Sequence, residues 1–334
     1  MTFLPPAPPA RRGPPLRLAF IVDPLESLKA WKDSSVALMR AAQARGHAVS
    51  AIEPATLGWG APRDGGGTVR GEAIDLVLQD DAAWFRESGR AERALKDFDA
   101  VLMRQDPPMD GEYLAATWLL ERAEAEGARI FNRPGALRDH NEKLAIAEFP
   151  HLAPPSLVSS QWAALQAFID REGDVILKPL DGMGGTGIFR VGRNDPNRNV
   201  ILETVTALGR RRVMAQRFLP AIADGDKRIL LVAGRAAPYV LARYPRAGES
   251  RGNLALGGSG VARALSPRDE AIADELGPRL AARGLFLVGL DVIGEHLSEI
   301  NVTSPTCMVE IHAQTGFDVA AATISALEDH CCGA

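Results

Sequence analysis

Apolar positions follow two different rhythms along the 334 residues. In the first third, compact apolar runs alternate with stretches of helical spacing. Leu16 to Val22 reads as a strand ending at Asp23-Pro24. Ser34 to Arg45 then places Val36, Met39 and Ala42 to Ala44 on one helical face and closes at Gly46. His47 to Ile52 and Asp99 to Met103 are further strands, Glu112 to Glu126 is a helix closed by Gly127, and Ala128 to Asn132 is another strand. Strands alternating with helices predict a parallel sheet, so this lobe is α/β. Leu57 to Gly71 has no periodicity and is expected to be a glycine-rich loop.

After Asp139 the rhythm changes. Asp139 and Glu142 form a capping signature ahead of a short helix from Leu144 to Phe149. Pro154-Pro155 breaks the chain before a helix from about Ser160 to Arg171. Asp174 to Val191 reads as two strands around glycines, and Val213 to Leu219 as a strand ending at Pro220. Arg228 to Ala233 and Ala236 to Tyr244 form a hairpin at Gly234, and Ala247 to Gly260 is a long glycine-rich loop. Ser266-Pro267 opens a helix that runs to Gly284. Leu285 to Ile293 pairs with Ser298 to Thr303 across Gly294 to Leu297, and a last helix covers about Phe317 to Leu327. Hairpins in place of crossovers make this half mixed α+β and set a boundary near Arg138. The expected organisation is a proline-rich disordered stretch over 1–15, an α/β domain over 16–138, and an α+β domain over 139–330. Two subdomains, 139–212 and 213–330, would face each other across a cleft.

Composition narrows the function. A hydrophobic fraction of 46%, a charged fraction of 24% and a net charge of −4 fit a soluble globular protein and speak against a nucleic-acid binder. No window approaches a membrane span, and the first fifteen residues, with six prolines and Arg11-Arg12, lack the apolar core of a secretory signal. Cys307, Cys331 and Cys332 have neither metal spacing nor a disulfide framework, as expected in a reducing cytoplasm, with the last two in a frayed ending.

The candidate chemistry centres on Lys178 and the glycines that follow it. Gly182, Gly184 and Gly187 satisfy G-x-G-x-x-G, but that fingerprint needs a helix after the loop, and Ile188 to Val191 is β-prone. A P-loop is excluded because no Gly-Lys-Ser/Thr closes the stretch. What remains is a flap between antiparallel strands. Its backbone N–H groups can converge on an anion, and Lys178 can meet a phosphate, which points to a nucleoside triphosphate. A lone flap of this kind is more often an ordinary hairpin. Asp291, Glu299 and Asn301 share one face of the predicted Leu285–Thr303 hairpin. They would be a polar surface if that hairpin were exposed. The apolar run from Leu285 to Leu290 buries the strand, and buried acids need a counter-charge, so a Mg²⁺-type oxygen site is the better reading. Lys143, Arg228 and Arg243 supply further cations, the mixture that phosphoryl transfer needs.

Several strings go beyond generic chemistry: Asn141-Glu-Lys-Leu144, Ile176-Leu-Lys-Pro-Leu-Asp-Gly-Met-Gly-Gly185, Met214-Ala-Gln216, Asp224-Gly-Asp-Lys-Arg228, Leu241-Ala-Arg243, Arg251-Gly-Asn-Leu254 and Glu299-Ile-Asn-Val-Thr-Ser-Pro-Thr306. With Lys32-Asp-Ser-Ser35 and Met103-Arg-Gln-Asp-Pro-Pro108 in the first lobe, the chain resembles the bacterial glutathione synthetases, ATP-grasp carboxylate–amine ligases, over roughly Leu16 to Leu327. The resemblance implies an ATP-grasp domain after Asp139 and the cofactors ATP and Mg²⁺, with Mn²⁺ as an alternative ion. The implied substrates are γ-glutamylcysteine and glycine, joined through an acyl phosphate in the cytoplasm by a homotetramer. It implies that Lys143 and Lys178 hold phosphates beneath a flap of Gly182, Met183, Gly184, Gly185 and Gly187. Gln216, Arg217, Phe218 and Leu219 would line the adenine, and Asp226 would lie near the ribose. Asp291, Glu299 and Asn301 would carry the metal, and Arg228 and Arg243 would act on the transferred phosphate. Arg104, Ser34 and Ser35 would contribute to the dipeptide site. The competing readings are an ATP-grasp ligase for another acid and amine, and a nucleotide-binding regulator without turnover. The second predicts a damaged metal or phosphate set, which the sequence does not have.

Overall fold

The computed structural model describes residues 2–8, 10–11, 13–61, 66–80, 83–246 and 258–332. The first lobe is one sheet. Strands β1 (Arg17–Ile21) and β2 (Ala48–Ile52) lie on either side of helix α1 (Ser34–Ala44) in sequence. Asp33 caps that helix by accepting from the N–H groups of Ser35 and Val36. Strands β3 (Gly58–Gly60), β4 (Thr68–Leu78), β5 (Phe85–Ala94) and β6 (Ala100–Met103) follow, then helix α2 (Gly111–Ala125) and β7 (Ile130–Phe131). The sheet order is β3-β4-β2-β1-β6-β7, with β5 on β4. The expected parallel core is present, since β1 pairs in parallel with β2 and β6, and β6 with β7.

The same sheet corrects the expected loop. Part of the 57–71 stretch is β3 and the start of β4, and β4 and β5 extend the sheet antiparallel. The alternation that would reveal β5 is missing because nearly all of its residues face solvent and five of its ten are charged. The proline-rich stretch also departs from expectation. Leu4 is buried and its N–H bonds the Ala236 carbonyl at 2.8 Å, while Arg45 donates to the carbonyl of Pro8. An apolar side chain with a sheet to pack on, and a guanidinium within reach of free carbonyls, tie this segment down.

The second half opens with helix α3 (Pro134–Asp139) and a 3-10 turn over Leu144–Glu148. The Asp139–Glu142 capping box does not form. Asp139 ends α3, Asn141 Oδ1 accepts from Leu144 N–H, and Glu142 is used elsewhere. Strand β8 (Ser156–Ser159), helix α4 (Trp162–Glu172), strands β9 (Asp174–Pro179) and β10 (Phe189–Gly192), helix α5 (Arg198–Val205) and strand β11 (Val213–Arg217) build a four-stranded antiparallel sheet ordered β10-β9-β11-β8. The cluster on one of its faces, around Leu165, Phe168, Val175 and Leu202, is its own.

The third sheet contains β12 (Asp226–Val232), β13 (Arg235–Tyr244), β14 (Ser259–Ala264), β15 (Leu287–Ile293) and β16 (His296–Asn301), ordered β14-β13-β12-β15-β16 and antiparallel throughout. Helix α6 (Pro267–Ala282) carries a true capping box from Ser266 and Asp269. Helices α7 (Met308–Thr315) and α8 (Val319–Cys332) complete the chain. The ending expected to fray is helical through Cys332, with Arg129 bonding the Cys331 carbonyl at 2.9 Å. This sheet and its helices share two apolar clusters with the first lobe, so those two parts are one packed body. Most of the expected 247–260 loop lies outside the described residues, as does the Arg251–Leu254 string.

Candidate active site

Antiparallel register on the third sheet assembles the charged groups. Arg228 stands opposite Asp291 between β12 and β15, Asp291 opposite Glu299 between β15 and β16, and Asp226 opposite Arg243 between β12 and β13. Residues two apart along a strand share a face, so Asp226 and Arg228, and Glu299 and Asn301, emerge on one side. Gly289, opposite Asn301, leaves that side open; a Cβ there would sit 2.8 Å from Arg228 Cδ.

The pairing is dense. Arg228 donates Nε to Asp291 Oδ1 at 2.5 Å and Nη2 to Oδ2 at 3.0 Å. Arg243 Nη2 lies 2.9 Å from Asp291 Oδ2 and 2.6 Å from Asp226 Oδ2. Burial alone would push the Asp291 carboxyl up, but the charges of Arg228 and Arg243 hold it well below the usual carboxylate range. Asp226 goes the other way. Burial raises it despite Arg243, and its Oδ1 has no hydrogen-bond partner.

The other lysines and the flap come from elements facing this sheet. Lys143, just before the 3-10 turn, donates Nζ to Glu299 Oε1 at 3.1 Å and to the Gly182 carbonyl at 2.6 Å. Burial opposes its charge, yet Glu299 and Glu142 raise its pKa overall. Lys178 on β9 is buried and bonds Gln216 Oε1 of β11 at 2.8 Å. Desolvation lowers its pKa, and the negative charges near it do not fully compensate. A lysine held this way gains from an incoming phosphate. The glycines join β9 to β10 as an antiparallel connection with Gly184, Gly185 and Gly187 at positive φ, and no helix follows directly. At the end of β11, Phe218 carries the Arg190 guanidinium 3.7 Å above its ring.

Most of these groups border one cavity of about 610 Å³. Of the residues expected to carry function, Lys143, Lys178, Gly182, Met183, Gly184, Gly185, Gln216, Arg217, Phe218, Leu219, Asp226, Arg228, Arg243, Asp291, Glu299 and Asn301 line it, and Gly187 does not. Arg104, Ser34 and Ser35 do not reach it either. Arg104 is buried behind the wall, with Nε on Ser35 Oγ at 3.1 Å and Nη2 on the Pro305 carbonyl at 3.0 Å. Ser34 Oγ accepts from Met308 N–H. These residues brace the Pro305–Met308 wall from the far side.

Sequence reasoning missed part of the lining. Glu142 takes three hydrogen bonds on one oxygen, from Val302 N–H, Thr303 N–H and Thr303 Oγ1, and so pins the chain just beyond the metal-candidate strand. Its place beside Lys143 was the available signal. Lys29, Lys32, Asp106 and Glu310 also line the cavity. They come from loops and from α7, where periodicity offers no guide.

For a divalent ion, the donor set is partly committed. Among the described residues there is no group of three or more His, Cys, Asp or Glu side chains spaced to hold a metal. The candidate set is two carboxylates and an amide. Asn301 donates its Nδ2 to the Gly289 carbonyl at 3.2 Å, which leaves its amide oxygen as an acceptor. Glu299 shares only Oε1 with Lys143. Two hard oxygens are therefore free on the cavity wall, with Asp291 beside them, which fits an ion that is also bound through substrate phosphates.

Comparison with known proteins agrees along most of the chain. Residues 16–138 match the family model for the prokaryotic glutathione synthetase N-terminal domain, and residues 142–316 match that for its ATP-grasp domain. A glutathione synthetase of Nitrosomonas europaea is 56% identical over 319 residues, covering 94% of this chain and 98% of that protein. One from Pseudomonas putida is 48% identical over 314 residues, covering 94% and 98%. Among solved structures, D-cycloserine synthetase superposes with a TM-score of 0.65 at 14% identity, over 94% of this chain and 99% of that one. A RimK-domain ATP-grasp protein from Sphaerobacter thermophilus gives 0.57 at 20% identity, over 93% and 98%. These two show the fold.

Proposed function

The chain belongs to the prokaryotic glutathione synthetase family, and from that membership we propose how its cavity works. The protein is an ATP-dependent ligase that forms glutathione. Its substrates are γ-glutamylcysteine and glycine, and ATP leaves as ADP and phosphate. The observation that carries the residue assignments is the convergence of two lysines, two arginines and the Glu299–Asn301 strand on one cavity beneath a glycine flap.

Lys143 and Lys178 bind the ATP phosphates. The glycine flap closes over them with its N–H groups, excluding the water that would hydrolyse an activated acid. Gln216 to Leu219 hold the adenine, and Asp226 lies by the ribose. Glu299 and Asn301, with Asp291, are the residues that would hold a divalent ion, Mg²⁺ in preference and Mn²⁺ as the alternative. Such an ion supplies neutralisation of phosphate charge. The cysteinyl carboxylate attacks the γ-phosphorus and becomes an acyl phosphate. Arg228 and Arg243, fixed by Asp291 and Asp226, stabilise the charge on the transferring group. The glycine amine then displaces phosphate. No protein nucleophile takes part.

The test is ADP release from Mg-ATP with γ-glutamylcysteine and glycine added singly and together. Release that needs both, with glutathione formed in equal amount, is expected. ATP binding without that turnover would favour a different acid and amine. Lys178→Ala is expected to lose nearly all ADP formation while keeping its circular-dichroism spectrum, and wild-type turnover would remove Lys178 from the phosphate site. No helix among the described residues is long and apolar enough to cross a membrane, and we place the enzyme in the cytoplasm. The family resemblance also supports a tetramer, which sedimentation as a monomer at working concentration would overturn.

A further inference from the structure

Glu310 lies in the first turn of α7, on the cavity wall formed by Thr306 and Cys307. Its Oε2 is buried and has no hydrogen-bond partner, whereas its own backbone N–H supports the carboxylate. A buried carboxylate oxygen left open costs free energy unless a ligand completes it. Of the other acids on this wall, Glu299 keeps its second oxygen for the ion and most of the rest are held. Asp33 caps α1, Asp106 takes the Ser304 hydroxyl, Glu142 holds Thr303 and Glu299 meets Lys143. Asp226 also keeps one oxygen open, but Arg243 holds the other and Arg228 and Lys178 stand near it, a setting that repels an ammonium.

The wall that carries Glu310 meets the arginines at Pro305: a Cβ on Gly289 would lie 2.8 Å from Arg228 Cδ and 3.0 Å from Pro305 Cβ, and the chain then enters α7 through Cys307. That residue lies within electrostatic reach of Arg228 and Arg243 as well as of Glu310. A small amine between the arginine pair and Glu310 would therefore have its nitrogen beside an acyl phosphate on one side and a carboxylate on the other. Lys32 is the cation that acts on Glu310, and Lys29 lines the same wall, so an acceptor's carboxylate has partners there too. Resting on the ligase reading above, we infer that Glu310 binds the ammonium of the incoming amino acid and is the general base that frees it for attack.

Glycine's ammonium gives one proton to Glu310 Oε2, and the nitrogen lone pair forms the C–N bond. The acyl C–O bond breaks with its electron pair on phosphate, which takes the second proton as the amide forms. Glu310 then returns its proton to solvent. Burial raises the Glu310 carboxyl above its ordinary value, which suits proton transfer near neutrality.

The experiment compares Glu310→Gln with wild type in three assays. Scrambling of the β,γ-bridging oxygen of labelled ATP, dependent on γ-glutamylcysteine alone, reads acyl phosphate formation and is expected at the wild-type rate. Glycine-dependent turnover is expected to fall roughly 10²–10⁴-fold, the usual worth of a general base, and to recover as pH rises and free glycine amine accumulates. Turnover with hydroxylamine, already a free base at neutral pH, is expected to fall far less. An equal loss with both amines, or no loss with glycine, would overturn the role of Glu310. Wild-type enzyme that scrambles ATP yet makes no glutathione would instead overturn the reaction on which the inference rests.

Discussion

Asp291 is where stability and chemistry meet in a single side chain. Both of its oxygens are held by guanidiniums that are themselves buried. Replacing it with alanine leaves Arg228 without its partner and Arg243 with only Asp226, so a loss of about 3–5 kcal/mol in unfolding free energy is expected in metal-free buffer. The sign with pH follows from its lowered pKa. The folded-state pKa lies below the unfolded one, so the stabilisation is fully present above the ordinary carboxylate range and fades as pH falls through the lowered value. The gap between wild type and Asp291→Ala in urea titrations should thus be constant around neutrality and close only in strong acid. A gap that closed near neutrality would refute the depressed carboxyl. Glu299 tests the metal side of the same face. Glu299→Gln keeps size and loses charge, and should raise the Mg²⁺ concentration needed for half-maximal ADP release; an unchanged titration would remove it from the ion's ligands. These residues were legible in the sequence because ionisable groups stand out on apolar strands, and a two-residue period is enough to place them on one face. Glu142 was misread because a carboxylate three places after an aspartate looks the same whether it caps a helix or clamps a distant loop. Arg104 was misplaced because sequence cannot say on which side of a wall a buried guanidinium lies.

Elements with strong periodicity were recovered, and those without it were not. The parallel core strands, α1, α2 and the Leu285–Asn301 hairpin declare themselves by buried apolar faces, whereas β5 is charged along its exposed length and α5 and α7 are only eight residues each. What no pattern revealed is how the elements group. The β8–β11 sheet has a cluster of its own on one face and joins the shared one through Met214 and Val158, while the first lobe and the β12–β16 sheet are fused through shared clusters. A flap carried on a unit with most of its core to itself can move over the cavity with little repacking of the floor. Phe168 is 2% exposed in the unit's own cluster, and Phe168→Ala should cost about 3–5 kcal/mol there. Native-state hydrogen exchange is expected to show lost protection over β9 to β11 with β12 to β16 unchanged, together with weaker ATP binding. Equal loosening of both sheets would mean that the flap unit is not energetically separate.

Away from the cavity lining, one buried carboxylate ties the last helix to the first lobe. Glu328 on α8 has no exposed side-chain surface and accepts from Arg45 through Nε at 2.8 Å and Nη2 at 2.6 Å, and from His47 through Nε2 at 2.8 Å. His47 Nδ1 accepts the N–H of Leu16 at 3.0 Å, which fixes the ring as the tautomer that donates from Nε2. Arg45 extends the same network to the carbonyls of Pro8 and Ala10. One side chain thus joins the last helix, the α1–β2 corner and the proline-rich start. Removing one partner of a buried ion pair leaves the other charge uncompensated, so Glu328→Ala is expected to cost about 3–5 kcal/mol. Because the first lobe and the third sheet share their cores, that loss should appear as a lower urea midpoint with an unchanged slope, the mark of lost stability in a body that still unfolds as a unit. None of these residues lines the cavity, so ATP affinity at low temperature should stay at the wild-type value. A midpoint shift confined to a separate early transition would show instead that α8 frays without the rest, and that Glu328 secures one helix and not the fold.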